Sequence, residues 1–363
     1  MGKLDNVLDK IKKAYKVDIP SAREAGKIER LTLDSPGMNY IFGGGMPLGR
    51  MIYMQGPESA GKTAIATYLA AQVQKHYTGK QGVVILDFEY AFDSNHAEEM
   101  GLDIDNNFYI VRPLNAEDGF NMTRDLIESG EVGLVILDSI TAMQSKAACE
   151  DAFGGFAGGK TAAVIASGIR MLLPYLYHNK CTLAIISQER ANMNPMSYVD
   201  YKGTGGKAPA FYSSWSARVT RAADITDSTK ELKGLEIRVK NIKNKVGIAK
   251  RDAVLKLFFN GGIDSEEEYM DYVKALGIVE QKGAYYSNAT WVADDGTIGM
   301  KVCGMEKVKE FLKNNPKLYE QVKRDVNALI TGFSILDSSS AELTDEEKML
   351  EDLGDETNTE GLE

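Results

Sequence analysis

Short apolar runs alternate with longer amphipathic stretches through the middle of the chain. Between Arg50 and Gln188 the runs MIYMQ, GVVILDFE, FYIVRP, LVILDS and TLAIISQ are separated by helix-like segments such as KTAIATYLAAQVQKH. Continuous apolar runs of this length suit strands buried on both faces, and their alternation with helices predicts a parallel sheet covered by helices. After Ala210 the runs SARVTRAAD, LEIRVKNIKNK and AVLKLFF follow one another through short connections. These predict antiparallel additions to the same sheet, closing the core near Gly262.

Beyond that point Asp264, with Glu267 three residues later, has the form of a helix N-cap and its reciprocal acid, opening the helix SEEEYMDYVKALG. KGAYYSNATWVADDG reads as a hairpin, and MEKVKEFLKNNP and LYEQVKRDVNALI as two helices. At the other end, Lys3 to Lys16 places Leu4, Val7, Leu8 and Ile11 on one helical face with little local chain to cover it. The chain therefore divides into an arm over 1–30 that docks on a neighbouring subunit, a core over 31–262, a small domain over 263–335 and a tail over 336–363.

Composition narrows the class. A chain of 363 residues, 44% hydrophobic and 26% charged, buries a core in about two domains and is neither disordered overall nor a stapled mini-protein. No apolar run approaches the roughly 18 residues of a membrane span, and the first segment lacks a signal peptide's apolar centre. A soluble, cytoplasmic protein with no membrane partner is expected. Cys149, Cys181 and Cys303 lack the paired spacing of a zinc site or a disulfide framework and read as core residues. The net charge of −10 is unevenly spread: Ala341 to Glu363 holds ten acids against one lysine, leaving the first 340 residues near −1. The body is nearly neutral, so its charge does not exclude a nucleic-acid partner.

Directly after MIYMQ stands GPESAGKT: Gly56, Pro57, Glu58, Ser59, Ala60, Gly61, Lys62 and Thr63. It matches GxxxxGK[ST] between a strand and a helix, the arrangement that cradles a polyphosphate with backbone amides and a helix N-terminus. Lys62 would reach the β and γ phosphates of ATP, and the Thr63 hydroxyl would bind Mg²⁺. Asp138, closing the run LVILD, suits a carboxylate near that metal; a cap on the following helix is the alternative. Asp87, Glu89 and Asp93 follow another apolar strand. By spacing alone any of the three would activate the attacking water, and Glu89 is the candidate base.

GPESAGKT, LDFEYAFD, LVILDS and AIISQER occur in the order and context of the bacterial and phage RecA-type recombinases. The resemblance extends from RLTLDSPGMNYIFGGGMPLGR through KGTGGKAPAFYSS and VKNIKNK to KGAYYS, nearly the whole chain. It implies an α/β fold: a RecA-type P-loop ATPase core of mostly parallel sheet flanked by helices, with an N-terminal helical arm and a small α+β C-terminal domain. It further implies a DNA-dependent ATPase that forms a helical homo-oligomeric filament on single-stranded DNA. That filament would pair its strand with homologous double-stranded DNA, with a single-strand-binding protein and loading factors as further partners.

By the same resemblance Glu89 activates water, Asp93 and His96 sit against the adenine, and Gln188 senses the γ phosphate. His96 stands where the family usually has a tyrosine. The long segment from Glu189 to Lys207 resembles a DNA loop, with Gly205 and Gly206 allowing close approach to a phosphodiester and Arg190 and Lys207 adding charge. Asp151 to Lys160 occupies the position of a first DNA loop, where Phe153 and Phe156 either stack on bases or form a small satellite core. Arg170 matches a phosphate contact and Phe211 a subunit interface. Lys243 and Lys245 alternate on one strand; they would cap the nucleotide of the adjacent subunit, or else simply form a solvated edge. A ring helicase with the same core, and a scaffold that coats DNA without turnover, are the competing readings. The acidic tail reads either as a disordered solubility device or as a competitor with DNA for the basic loops, an effect that would be strongest at low salt.

Overall fold

The computed structural model describes residues 3–150, 158–191, 201–203 and 206–332. Phe153, Phe156, Gly205 and the acidic tail lie outside the described residues. In chain order, α1 (Lys3–Tyr15) and α2 (Ala22–Gly26) precede a two-residue ribbon, β1 (Arg30–Leu31) with β2 (Met46–Pro47), that brackets α3 (Pro36–Phe42). The predicted alternation follows as β3 (Met51–Gly56), α4 (Lys62–His76), β4 (Gly82–Asp87), α5 (Ser94–Glu99), β5 (Phe108–Val111), α6 (Ala116–Glu128) and β6 (Val132–Asp138). Then come α7 (Lys146–Glu150), α8 (Gly158–Asn179), β7 (Thr182–Ala191), β8 (Tyr201–Gly203) and α9 (Ala208–Tyr212). The sheet is completed by β9 (Trp215–Thr226), β10 (Leu232–Asn244), β11 (Asp252–Phe258) and β12 (Gly262–Ile263).

These strands form one sheet in the order β12-β11-β10-β9-β3-β7-β6-β4-β5, with β8 pairing only with β7. From β3 through β7, β6 and β4 to β5 every pairing is parallel. The later strands are antiparallel to one another, but β9 itself enters parallel to β3, with Ile52 opposite Trp215 and Gln55 opposite Arg218. A long connection returns the chain from the end of β7 to the start of β3, so β9 runs in the sheet's own direction. Along the main strand order, only the pairings after β9 are antiparallel; β8, off that path, is antiparallel to β7.

Side-chain alternation splits the interior into two layers. Ile52 and Met54 of β3 pack with Met38 and Phe42 of α3 and Leu69 of α4, whereas Met51 and Tyr53 pack with Phe120 of α6 and Ile169 of α8. Trp215 is fully buried, 4.4 Å from the Phe42 ring, and its indole N–H donates to the Ile41 carbonyl at 3.0 Å. Such an aromatic pair adds about 1 kcal/mol beyond its buried area and fixes α3 against the sheet.

The C-terminal unit comprises α10 (Ser265–Ala275), a sheet of β13 (Glu280–Lys282), β14 (Tyr285–Val292) and β15 (Ile298–Cys303), α11 (Met305–Lys313) and α12 (Pro316–Gly332). Its own core includes Val273, Trp291, Leu312 and Val322. Asp264 caps α10 by accepting the Glu267 N–H at 3.0 Å, but the reciprocal half is not what the sequence suggests, because the Glu267 carboxylate turns to Lys256. The cysteine expectation holds for Cys181 alone. Cys149 and Cys303 are exposed, the first on a five-residue helix with no buried residue and the second at the end of a small-domain strand. On α1, Leu4, Val7 and Ile11 are exposed, so the predicted apolar stripe is uncovered within a single chain. Among the described residues no helix is long and apolar enough to cross a membrane.

Candidate active site

At the end of β3 the chain enters the Gly56–Thr63 loop and then α4. Ser59 has φ 55° and Gly61 φ 89°, left-handed positions that turn successive backbone N–H groups into a concave nest. A Cβ on Gly61 would stand 2.2 Å from Ile237 Cδ1 of β10, so glycine is required there by conformation and by space. Gly61 is also the N-cap of α4 and offers no side-chain cap, which leaves the first amides of the helix open to an anion. Lys62 folds back over the loop and donates to the Gly56 carbonyl at 3.1 Å. Burial lowers its pKa, opposed by the charges of Asp138 and Glu89.

Three strands of the parallel sheet deliver carboxylate and amide groups to this loop. Asp138, ending β6, accepts from Thr63 Oγ1 at 2.8 Å. Burial raises its carboxyl to about 6, against the lowering effect of the Thr63 hydrogen bond. Glu89, just past β4, accepts from Ser139 Oγ and, at 3.3 Å, from Gln188 Nε2 on β7. The Gln188 backbone N–H is tied to Thr141 Oγ1 at 2.9 Å. Asp87 is almost fully buried. It accepts from the Ala91 and Phe92 amides at 3.3 and 3.4 Å and from Arg112 Nε at 3.3 Å, and so shapes the turn that presents Glu89. These groups converge on a cavity of about 350 Å³ whose apolar wall includes Leu235, Leu257 and Phe259 from the β10–β11 side. A larger cleft of about 730 Å³ lies where the C-terminal unit meets the core, and Asp34, one of the acids that line it, is already paired with Lys75 and His76.

His96 lines the cavity, whereas the Asp93 carboxylate caps α5, accepting the Asn95 and His96 amides at 3.0 and 3.2 Å. Lys243 and Lys245 lie elsewhere. Lys243 is opposite Ser216, which is level with Tyr53, three residues or roughly 10 Å behind Gly56 along the sheet. Its Nζ donates to the Ala210 and Phe211 carbonyls, both at 2.7 Å, while the Phe211 side chain is 67% exposed. Lys245 falls just past the end of β10, where its N–H still bonds the Ser214 carbonyl at 2.7 Å. Neither lysine lines the cavity of its own chain.

Arg170 is exposed on α8, and Lys207 is exposed immediately before α9. Arg190 stands opposite Lys202 in the β7–β8 hairpin. Gly206 has φ 83°, and a Cβ there would lie 3.5 Å from Ala162 Cβ, so the flanks of the two loop segments meet. Ser139, Thr141 and Arg112 carry no sequence signal as site residues beyond the adjacency of Ser139 to Asp138. Asp87, one of the three candidate acids, instead organises the turn around Glu89.

A helix-covered parallel sheet with a glycine-rich loop opening a helix beyond a strand end defines the phosphate-loop nucleotide-binding class. Within that class, residues 3–264 match the family model described as the RecA N-terminal domain. The chain is 31% identical over 317 residues to Protein RecA of Chlorobium chlorochromatii, covering 87% of this chain and 86% of that one. It is 32% identical over 330 residues to Protein RecA of Campylobacter fetus, covering 90% of each. Against Protein RecA of Staphylococcus carnosus it is 32% identical over 350 residues, covering 93% and 92%. The chain belongs to the RecA family of recombinases.

Proposed function

We propose that this protein is a DNA-dependent ATPase that assembles as a helical filament on single-stranded DNA and pairs it with a homologous duplex in the cytoplasm. The observation that carries the reading is the convergence of Lys62, Thr63, Glu89, Asp138 and Gln188 on one cavity, with Gln188 on the strand that leads directly into the 192–200 segment. A hydroxyl and a carboxylate 2.8 Å apart, the latter with its pKa raised chiefly by burial, are the oxygen donors that a hard divalent cation takes. Thr63 and Asp138 would hold Mg²⁺ beside ATP, where it supplies neutralisation of phosphate charge.

The chain's own groups do the rest. The loop amides and Lys62 bind the β and γ phosphates, with Lys62 exchanging the Gly56 carbonyl for phosphate oxygen. Glu89 orients a water and takes its proton, held in place by Ser139. Gln188 donates to Glu89 and would also reach the γ phosphate, so that loss of that group would be registered on β7. Lys243 and Lys245, remote from their own phosphate loop, would complete the pocket of the next subunit. His96, which lines the cavity, and Asp93, at the N-cap of α5, would sit against the adenine. Gly205, Gly206, Arg170, Arg190 and Lys207, with Phe153 and Phe156, would contact DNA mostly through its backbone, as sequence-independent binding requires.

The test is ATP hydrolysis with and without single-stranded DNA, run beside strand exchange between homologous substrates. Stimulated hydrolysis with exchange is expected. Closed rings that unwind a forked duplex and exchange nothing would overturn the reading in favour of a helicase.

A further inference from the structure

We propose that the ion pair between Glu189 and Arg218 is a positioning clamp that couples the nucleotide cavity to the segment following β7; the proposal rests on the function inferred above. The Glu189 side chain is 1% exposed, although it lies one residue from Gln188 at the mouth of the cavity. Arg218 Nε stands 3.0 Å from both carboxylate oxygens, and Nη2 is also 3.0 Å from Oε2. This fork fixes distance and direction together, which a single point charge cannot do.

Its place in the sheet gives the pair its consequence. Strand alternation sends Gln188 to the α4 side with Ile186, and Glu189 to the opposite side with Ile185 and Tyr53. Glu189 is also where β8 begins to pair, opposite Gly203, so it is the base of the β7–β8 hairpin. Arg218 lies on β9, level with Gln55, and the two strands flank the end of β3. There Gly56 has no side chain, and a Cβ would stand 2.0 Å from the Val219 carbonyl oxygen. Gly56 faces the α4 side; on the Glu189 face the β3 residue level with Arg218 is Gln55, and the ion pair spans the end of β3 beside it. Movement of Gln188 therefore pivots against a residue fixed to β9, and the hairpin receives it.

Stability alone is a poor reason for this pair. A buried ion pair repays its desolvation only in part, and apolar replacements are often as stable, so its geometry is the property that distinguishes it. A positioning role predicts a split in kinetics rather than a general loss. Glu189→Gln removes the charge while leaving Arg218 able to reach solvent. Arg218→Lys keeps the carboxylate paired but loses the fork, and provides a second route should the first variant fold poorly.

The full chain carrying each substitution is assayed for hydrolysis with and without single-stranded DNA, for the KM of ATP and for melting temperature. The expected result is DNA-independent hydrolysis and KM within about twofold of wild type, with DNA stimulation reduced about fivefold or more. Full stimulation in either folded variant overturns the clamp. So does an equal fall in both rates that tracks melting temperature, because that is a structural effect. Wild-type hydrolysis indifferent to DNA would instead sink the functional reading on which the clamp depends, and the clamp with it.

Discussion

Thr63 Oγ1 and Asp138 Oδ2 stand 2.8 Å apart, one from the first turn of α4 and the other from the end of β6. Both residues line the cavity, and by the proposed function the Mg²⁺ they would hold neutralises phosphate charge there. Asp138→Asn keeps the shape and the capacity to accept from Thr63 but removes the negative charge. Turnover is expected to fall about 10²-fold, with half-maximal activity moved to higher Mg²⁺ concentration. A magnesium titration of hydrolysis measures both, and an unshifted titration would remove Asp138 from the metal site.

Glu89 Oε1 accepts from both Ser139 Oγ and Gln188 Nε2. Glu89→Gln preserves a side chain of the same size but cannot take a proton from water. Hydrolysis should drop by roughly 10²–10⁴-fold, the range associated with loss of a general base. DNA binding in the presence of ATP should persist, measured by fluorescence anisotropy of a labelled oligonucleotide. An unchanged hydrolysis rate assigns the base elsewhere.

The strands and the phosphate loop were legible because their signals are local. LVILD and MIYMQ are buried on both faces and read as continuous apolar runs, and Gly56 through Thr63 are contiguous. What joins distant parts was not legible. That β9 would run parallel to β3 depends on the path of a long connection, not on the composition of SARVTRAAD. Arg112 clamping Asp87 and Arg218 clamping Glu189 are ordinary charged residues until the sheet order brings them together. Cys149 and Cys303 misled because cysteine's preference for the interior is statistical, whereas exposure depends on which face a short helix or a strand end presents.

Lys243 bonds the carboxyl end of its own α9 and lies roughly 10 Å behind its own phosphate loop along the sheet. If it serves the neighbouring pocket, two inactive chains should complement one another. Lys62→Ala retains the lysine that reaches across, and Lys243→Ala retains an intact loop. Each alone should hydrolyse ATP only marginally. An equimolar mixture should regenerate roughly a quarter of the interfaces under random head-to-tail assembly. Hydrolysis no greater than the sum of the separate chains would mean that the pocket is complete within one protomer.

Glu268 gives the attachment of the C-terminal unit a pH dependence. Lying on α10, it is almost fully buried against the start of α3, where its Oε2 accepts from Ser35 Oγ at 2.6 Å and from the Gly37 amide at 3.4 Å. Its buried Oε1 has no hydrogen-bond partner among the described residues. Burial is the largest cause raising its carboxyl from 4.5 to about 7, with Asp264 and Asp271 of its own segment adding to it. The Tyr68 hydroxyl of α4 and the neighbouring Tyr269 and Tyr272 supply no countercharge at neutral pH. Below pH 4.5 the group is protonated whether the chain is folded or unfolded. Between 4.5 and about 7 the folded chain keeps a proton that the unfolded chain has lost, so this group's contribution to stability falls as pH rises. The total is on the order of 3 kcal/mol, and above about 7 it changes no further. Glu268→Gln removes the titration while keeping the volume. Urea denaturation from pH 5 to 8 should show the variant close to wild type at the acidic end and more stable than wild type at pH 8. Parallel curves would show that Glu268 is ionised in the folded chain throughout.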